Sequence, residues 1–419
     1  MSDRKYWIWL SMACTPASAT FRKLLSRYSS AEEIYEANRE ELKSVIGSRS
    51  KDIVALSDKE LSAAERTLAY VEKCDIGIVT YADAGYPVCL KDIERPPVVL
   101  YYRGVLPDFN SGFFSAVVGT RRLTDYGRRM AFSVGADLAS AGATVVSGMA
   151  IGIDGVAMAG ALSLGGRVVA VLGSGIDVCY PPVHKTLAQA IVKSGGCIMT
   201  EYPPKTRPER HNFPKRNRLI SGLCAVTVVI EGNERSGALI TARYAKEQGR
   251  PVYALPGNVD NRESRVTNLL IRDGAKLFMS ADDIVRDFEE ASLGALDPFA
   301  LASHKNPDMF TVLKEYKVSC VTPSDSIFPS WLKSPRSSRK RSDDAPAPRS
   351  AEAFEPTADA FDEKTISVYK KIPAEGECDI ESLADGDISL REVMKCLLKL
   401  EMGRFVTLTP GERVKRNLK

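Results

Sequence analysis

Short β-branched runs alternate with amphipathic stretches between residues 113 and 290, and no other feature of the chain constrains its fold as strongly. The runs cover 114–118, 144–147, 168–172, 197–200, 226–230, 252–255 and 276–279. Helical spacing fills 126–138, 156–164, 187–193, 239–248 and 266–272 between them. A strand that is apolar at successive positions is buried on both faces, as in a parallel sheet covered by helices on either side. Right-handed crossovers place the C-terminal ends of such strands on one edge, where ligands bind in open α/β sheets. The expectation is an α/β protein with a parallel-sheet core over 113–290.

The flanks read differently. Residues 1–75 are helical in pattern, with Phe21, Leu24, Leu25 and Tyr28 at helix spacing and Ser30 with Glu33 as a capping box, so a small helical domain is expected. Arg4-Lys5 and the apolar stretch 6–13 resemble a leader only faintly, and the helical pattern runs on through them; they read as mature protein. Residues 76–112, punctuated by Gly85-Tyr86-Pro87 and Arg95-Pro96-Pro97, read as a connecting segment with one strand-like run at 98–102. Residues 291–360 read as a partly disordered linker. Ser, Pro and Ala fill 15 of the 28 positions in 333–360, too little apolar surface to offset the entropy of ordering. Phe310, Leu313 and Trp331 are apolar enough to dock on the core. Residues 361–419 carry helical runs, the last behind a Ser389/Glu392 capping box, then a strand-like run at 405–408 and a Pro410-Gly411 turn. That order is winged-helix-like. Its 11 basic and 11 acidic residues cancel, so charge gives no support for DNA binding by this unit.

Composition removes several classes. No stretch approaches the ~20 continuous apolar residues of a membrane span. Nine cysteines are scattered from Cys14 to Cys396 without a CxxC pair, the pattern of reduced cytoplasmic thiols rather than of a disulfide framework or zinc site. The net charge is only +4, but residues 203–218 hold six Lys and Arg against Glu209 alone, so the whole excess is local. Such a patch is either an electrostatic footprint for phosphate-bearing ligands or a solvated basic loop.

The loops after the runs carry the chemistry. Gly119-Thr120-Arg121 follows the first run, and Ser147-Gly148 opens a glycine-bearing loop that extends to Gly155 after the second. Gly173-Ser174-Gly175, Thr200-Glu201-Tyr202, Glu231-Gly232 and Pro256-Gly257 follow the next four. Glycine lets backbone amides approach an anion, and the helix N-terminus behind each loop adds favourable partial charge. Several such loops on one edge, with Arg121 and the basic segment beside them, make a phosphate-binding surface. The ligand is not a dinucleotide, because Val178 stands where the third fingerprint glycine belongs, and Gly-Lys, needed for a Walker A loop, is missing. His184, His211 and His304 lack metal-ligand spacing; His184 and His211 read as surface or phosphate-contacting groups. Ser147 and Ser174 have no G-x-S-x-G elbow. An extended polyanion fits better, with Tyr202 and Phe213 either stacking on bases or anchoring the core.

Val118-Gly119-Thr120-Arg121 with Tyr126-Gly127, the run SGMAIGID at 147–154, AVLGSGIDVCYP at 170–181, TEYPP at 200–204, FPKRNRLISGL at 213–223 and VVIEGNERSGALITARYAKEQGR at 228–250 together resemble the DNA-processing protein A family (DprA, also called Smf). Pro256-Gly257, Asn268 to Ile271 and Gly274-Ala275 extend the likeness almost across the α/β core. The resemblance implies an extended Rossmann-like core, a sterile-alpha-motif-like N-terminal domain and a C-terminal winged helix. It implies a cytoplasmic homodimer that binds single-stranded DNA and loads the RecA recombinase onto it during natural transformation, without catalysis or cofactor. The phosphate-binding residues are then expected among Gly119, Thr120, Arg121, Ser147, Gly148, Gly173, Ser174, Lys185, Lys215, Arg216, Asn217 and Arg218. Arg121 could instead brace the sheet edge through Asp125 or Asp154.

Three positions depart from the family pattern: His184 stands where Asn is usual, Val266 where Gly is usual and, mildly, Thr120 where Ser is commoner. The competing reading is a nucleotide N-glycoside hydrolase similar to the LOG proteins. Their P-G-G-x-G-T-x-x-E pattern is broken here, since Pro256-Gly257 continues through Asn258 to Glu263 without the later glycines.

Overall fold

The apolar runs pair into one sheet, and that sheet is larger than the 113–290 core. The structure, a computed structural model, describes residues 3–234, 236–288, 294–320, 361–374, 378–385, 388–402, 405–409 and 413–416. Its strands are β1 (Gly77–Thr80), β2 (Val99–Gly104), β3 (Phe114–Val118), β4 (Thr144–Ser147), β5 (Val168–Val171), β6 (Cys197–Thr200), β7 (Val226–Val229), β8 (Val252–Ala254) and β9 (Lys276–Leu277), in the order β1-β2-β6-β5-β4-β3-β7-β8-β9. Every pairing from β6 to β9 is parallel, whereas β1 with β2 and β2 with β6 are antiparallel. This is a mixed α/β fold with a mostly parallel sheet.

The segment 76–112 is therefore part of the sheet, not a connection to it. Tyr101 lies opposite Thr200, and Ile78 opposite Tyr101. The glycine and proline punctuation lies in the loop between the two strands and leaves both intact. Tyr86, fully buried, donates its hydroxyl to the Pro97 carbonyl at 2.7 Å and holds that loop closed.

Helices cover both faces. The helix Asp125–Ser140 packs on the helix Ile153–Ser163, whose residues 153–162 are all buried. The backbones approach because Gly135 and Gly160 lack side chains: a Cβ on Gly135 would lie 2.0 Å from the Ala157 carbonyl oxygen. Residues 3–75 form helices from Arg4–Ala13 to Ser62–Lys73 around Ile8, Leu10, Leu24, Ile34, Leu42 and Leu56. Ser30 caps its helix by accepting from the Glu33 amide, while the Glu33 carboxylate reaches back to Ser29. Buried Asp52 accepts from the Thr15 amide and from the hydroxyls of Thr15 and Thr20, which satisfies its charge with hydrogen bonds. Tyr70 donates to Asp177 at 3.0 Å and ties these helices to the sheet layer.

Residues 294–320, the first part of the expected linker, are folded. Leu296, Val312 and Leu313 are buried, and the Asp297 amide donates to the Ala141 carbonyl at 2.8 Å. Phe310 stays exposed; Trp331 and the rest of 321–360 lie outside the described residues.

The chain divides into two compact units, Met1–Ser334 and Pro335–Lys419. In the second, the helix Glu363–Lys371, the strand β10 (Cys378–Asp379), a single 3-10 turn at Glu381–Leu383 and the helix Leu390–Met402 precede strands β11 (Val406–Thr409) and β12 (Arg413–Arg416). The sheet order is β10-β12-β11, all antiparallel. Val368, Tyr369, Leu397, Leu400 and Val414 form its core.

Candidate nucleic-acid interface

The sheet order reverses between β3 and β7, and the crevice there is the usual ligand position in such folds. Here a carboxylate fills it. Glu231, at the end of β7, accepts from both the Thr124 amide and hydroxyl, and its carbonyl accepts from the Thr120 amide at 2.8 Å. Gly127 packs so closely on that carboxylate that a Cβ would lie 2.0 Å from Oε2. Burial raises the Glu231 carboxyl above its ordinary range, and the Thr124 bonds oppose the rise. The carboxyl and its partners fill the switch point, so the candidate cationic cleft is a different one on the same edge.

It lies over the ends of β3, β4 and β5. A cleft there is lined by Arg121, Gly148, Ala150, Ile151, Tyr180, Pro181 and Phe213. The Phe213 ring has the Arg121 guanidinium 5.4 Å from its centroid and that of Arg216 at 6.0 Å, and Tyr180 packs at 5.4 Å, tilted by 43°. Arg216 is only 3% exposed. It donates to the Gly148 carbonyl at 3.0 Å and to that of Val171, so its charge sits beneath the cleft floor. Burial lowers its pKa to about 10 while Asp154 opposes the drop, which leaves it cationic at neutral pH. Gly148 is required by this packing, because a Cβ would meet the Arg216 Nη2 at 2.5 Å. The result is a shallow cleft with the Arg121 guanidinium and two aromatic rings at its surface and a second guanidinium buried beneath its floor, a setting that attracts an anion.

Other expected residues are placed differently. Arg218 is 2% exposed and donates to both Glu201 oxygens at 2.6 Å, to the Arg95 carbonyl at 2.9 Å and to the Lys215 carbonyl at 3.0 Å. It is committed to the interior: a buried guanidinium needs its carboxylate, and this one has found it. Asn217 donates to the Gly237 carbonyl. Ser147 is buried and donates to the Val117 carbonyl, while Ser174 is buried and donates to Val178. The amides of Gly148 and Ala150 point at Asp154 Oδ2, at 3.1 and 3.4 Å, so this chain's own carboxylate occupies the nest expected for an outside anion. Gly173 makes room for the Phe213 ring, and Gly119 for Ile153. The Thr120 hydroxyl exchanges hydrogen bonds with the Arg122 backbone. Tyr202 is a core anchor, donating to the Asn212 carbonyl. Lys215 is half-buried beside Arg216, and Lys185 is exposed along a second cavity.

His184 is not a surface group. It is fully buried, with Nδ1 3.0 Å from the Met149 carbonyl and Nε2 accepting from the Ser319 amide at 3.1 Å, an arrangement that suits the neutral Nδ1–H tautomer. His211 is exposed, 3.3 Å from Glu209. Val266 lies in the first turn of the helix Arg265–Arg272, outside the positive-φ residues, so its side chain meets no strain. Tyr180 and Phe213 complete the cleft together with Ala150 and Ile151. Of these, Phe213 carried a signal of its own, as a ring in the basic segment; Tyr180 stood only within the run that resembles the family, and the loop residues act through backbone and position.

Comparison with known proteins follows the same outline. A family model described as DNA recombination-mediator protein A matches residues 77–289, from the first residue of β1 to just past the last helix of the sheet layer. The chain belongs to the DNA recombination-mediator protein A family. Protein Smf of Synechocystis is 36% identical over 299 residues, covering 70% of this chain and 74% of its own. The DNA processing protein DprA of Bacillus subtilis is 36% identical over 234 residues, 56% of this chain and 78% of its own. The solved structure of DNA processing protein A from Streptococcus pneumoniae aligns with a TM-score of 0.59 at 31% identity, over 68% of this chain and 97% of that one. The family match begins at β1, which agrees with counting β1 and β2 as part of the core.

Proposed function

We propose that this chain binds single-stranded DNA without catalysis and delivers the strand to the RecA recombinase during natural transformation, as a cytoplasmic homodimer. Membership in a DNA-processing, recombination-mediator family supports the general role. The cleft in which Arg121 and Arg216 bracket Phe213 beside Tyr180 carries the choice of a single strand. An unpaired strand offers phosphates and open base faces together, whereas a duplex buries the faces in its own stack. The delivery to RecA, the dimer and the compartment rest on the family resemblance. Among the described residues no helix is long and apolar enough to cross a membrane. The element order of Pro335–Lys419 supports a winged helix, and its cancelling charge favours a protein contact over DNA. The test is binding of one labelled sequence, single- and double-stranded, to the full chain across a salt series. Equal or tighter duplex binding at matched salt overturns the reading.

A further inference from the structure

Behind the loop that carries Gly148 lies a second cavity, of about 440 Å3. That volume is in the range of small-ligand pockets, roughly 300–1,000 Å3. Its walls are apolar: Met149, Leu172, Ile176 and Ile198, closed by Ala188 and Val192. The last two share a face of the helix Lys185–Lys193 with Lys185, at positions i, i+3 and i+7.

Three cations and one acid stand on the rim. Arg103, Lys185 and Lys193 line the cavity, and among the described residues none of them has a carboxylate within ion-pair distance. The Arg103 Nε is buried without a hydrogen-bond partner, as are several other arginine Nε atoms of this chain. The one acid of the lining, Asp177, is already engaged by the Tyr70 hydroxyl at 3.0 Å and the Lys205 amide at 2.7 Å. An apolar chamber ringed by unmatched cations fits a flat apolar body bearing an anion.

The position narrows the class. Met149 lines this cavity, while its neighbours Gly148 and Ala150 line the Arg121–Phe213 cleft. Cys179 lines this cavity, while Tyr180 and Pro181 line the cleft. One pair of loops thus separates two cationic sites on one edge of the sheet. We propose that the second cavity is a nucleotide subsite, with the base against the apolar wall and its phosphate among Arg103, Lys185 and Lys193. The nucleotide is either free or one residue of a strand held in the cleft; only the second source rests on the DNA-binding reading.

The experiment is calorimetric titration of the full chain with dAMP and, separately, with oligodeoxyadenylate. It compares the wild type with Ala188→Trp, which narrows the cavity, and with the double substitution Arg103→Ala/Lys193→Ala. Saturable dAMP binding that weakens about tenfold in both variants supports a free-nucleotide site. No dAMP binding, with oligodeoxyadenylate affinity about tenfold weaker in both variants, supports a strand-borne nucleotide. Failure of dAMP to bind together with unchanged strand affinity in both variants overturns the subsite and leaves the DNA reading standing. So does dAMP binding that neither variant weakens. Cavity-dependent dAMP binding by a wild type that binds no strand overturns the DNA reading and leaves the subsite standing; a wild type that binds neither overturns both. Should Ala188→Trp fail to fold, as its melting curve reveals, the double variant decides, since Arg103 and Lys193 are solvent-accessible.

Discussion

Arg218 and Glu201 face each other through two hydrogen bonds of 2.6 Å, both side chains almost wholly buried. The pair fastens the helix Asn212–Gly222 to the end of β6. Removing one partner leaves the other charge buried and unpaired, which costs about 3–5 kcal/mol. Arg218→Ala is therefore expected to lower the melting temperature sharply. In protein that remains folded, the slope of log affinity against log salt for single-stranded DNA is expected to stay as in the wild type. A shallower slope at unchanged stability would return Arg218 to the binding surface.

Arg121 behaves in the opposite way. Its guanidinium is half-buried at the cleft and rests on the Phe213 ring. Arg121→Ala is expected to weaken single-strand binding alike on unrelated sequences and to make the salt slope shallower by about 0.7, the value for one lost phosphate contact. The melting temperature is expected to move little. If stability falls and the slope holds, Arg121 is a brace of the sheet edge.

Gly148→Ala tests the cleft floor without removing any charge. The new methyl would lie 2.5–2.7 Å from the Arg216 guanidinium atoms. That guanidinium is held from below by the Gly148 and Val171 carbonyls and cannot simply swing away. Overpacking of this kind costs about 1–3 kcal/mol. Both the melting temperature and the strand affinity are expected to drop, measured by thermal unfolding and fluorescence anisotropy. Normal affinity in the variant would show that Arg216 plays no part in binding.

His184 makes stability depend on pH. Burial lowers its pKa below the ordinary 6.5, so in the folded chain the ring stays neutral where the unfolded chain takes up a proton. Its stabilising contribution is full above 6.5 and is lost as pH falls from there through the folded value. The melting temperature should therefore decline on acidification below pH 6.5, and His184→Asn should decline less over the same range. Parallel curves for the two proteins would remove His184 from the account.

The chain is expected to release no free base from AMP. The buried Glu231 is held by Thr124 and by the close packing of Gly127, which leaves it no room to serve a sugar. Base release by the purified protein, lost on Glu231→Ala, would establish the hydrolase reading instead.

What the sequence disclosed depended on how far each signal reaches. Val226–Val229 and its parallel neighbours were plain because β-branched runs buried on both faces have few other uses. The strand-like run at 98–102 was seen and is β2, but β1 was not, because Gly85, Pro87, Pro96 and Pro97 crowd the loop between them and make the segment read as a connection. Arg121 was legible as a cation after a strand. The difference between Arg121 and Arg218 was not: both are arginines counted with one cationic surface, and only the fold brings Glu201 against one of them. The glycines misled in a related way. Gly148, Gly173 and Gly119 look like an anion cradle in sequence, yet each clears space for a side chain of this protein: Arg216, Phe213 and Ile153. Residues 335–419 bring no excess charge, and the cleft lies wholly within the first unit, so a chain ending at residue 334 should keep most of its strand affinity. A fragment starting at 113 would strip β2 from β6 and should be made to begin before Gly77.

The three-residue contact at Ser319 has a consequence for inheritance. Its carbonyl closes on the Gly152 amide at 3.2 Å and its amide on His184, 135 residues away in sequence. A gene rearrangement that exchanged the stretch around 147–184 for that of a relative, but kept the native 294–320, would bring a foreign loop to a native clasp. If that relative carried asparagine at the His184 position, the shorter side chain would have to find the same amide from a different length. These distant stretches should therefore travel together when such chains are shuffled, and hybrids that split them should be recovered folded less often than hybrids that keep them joined.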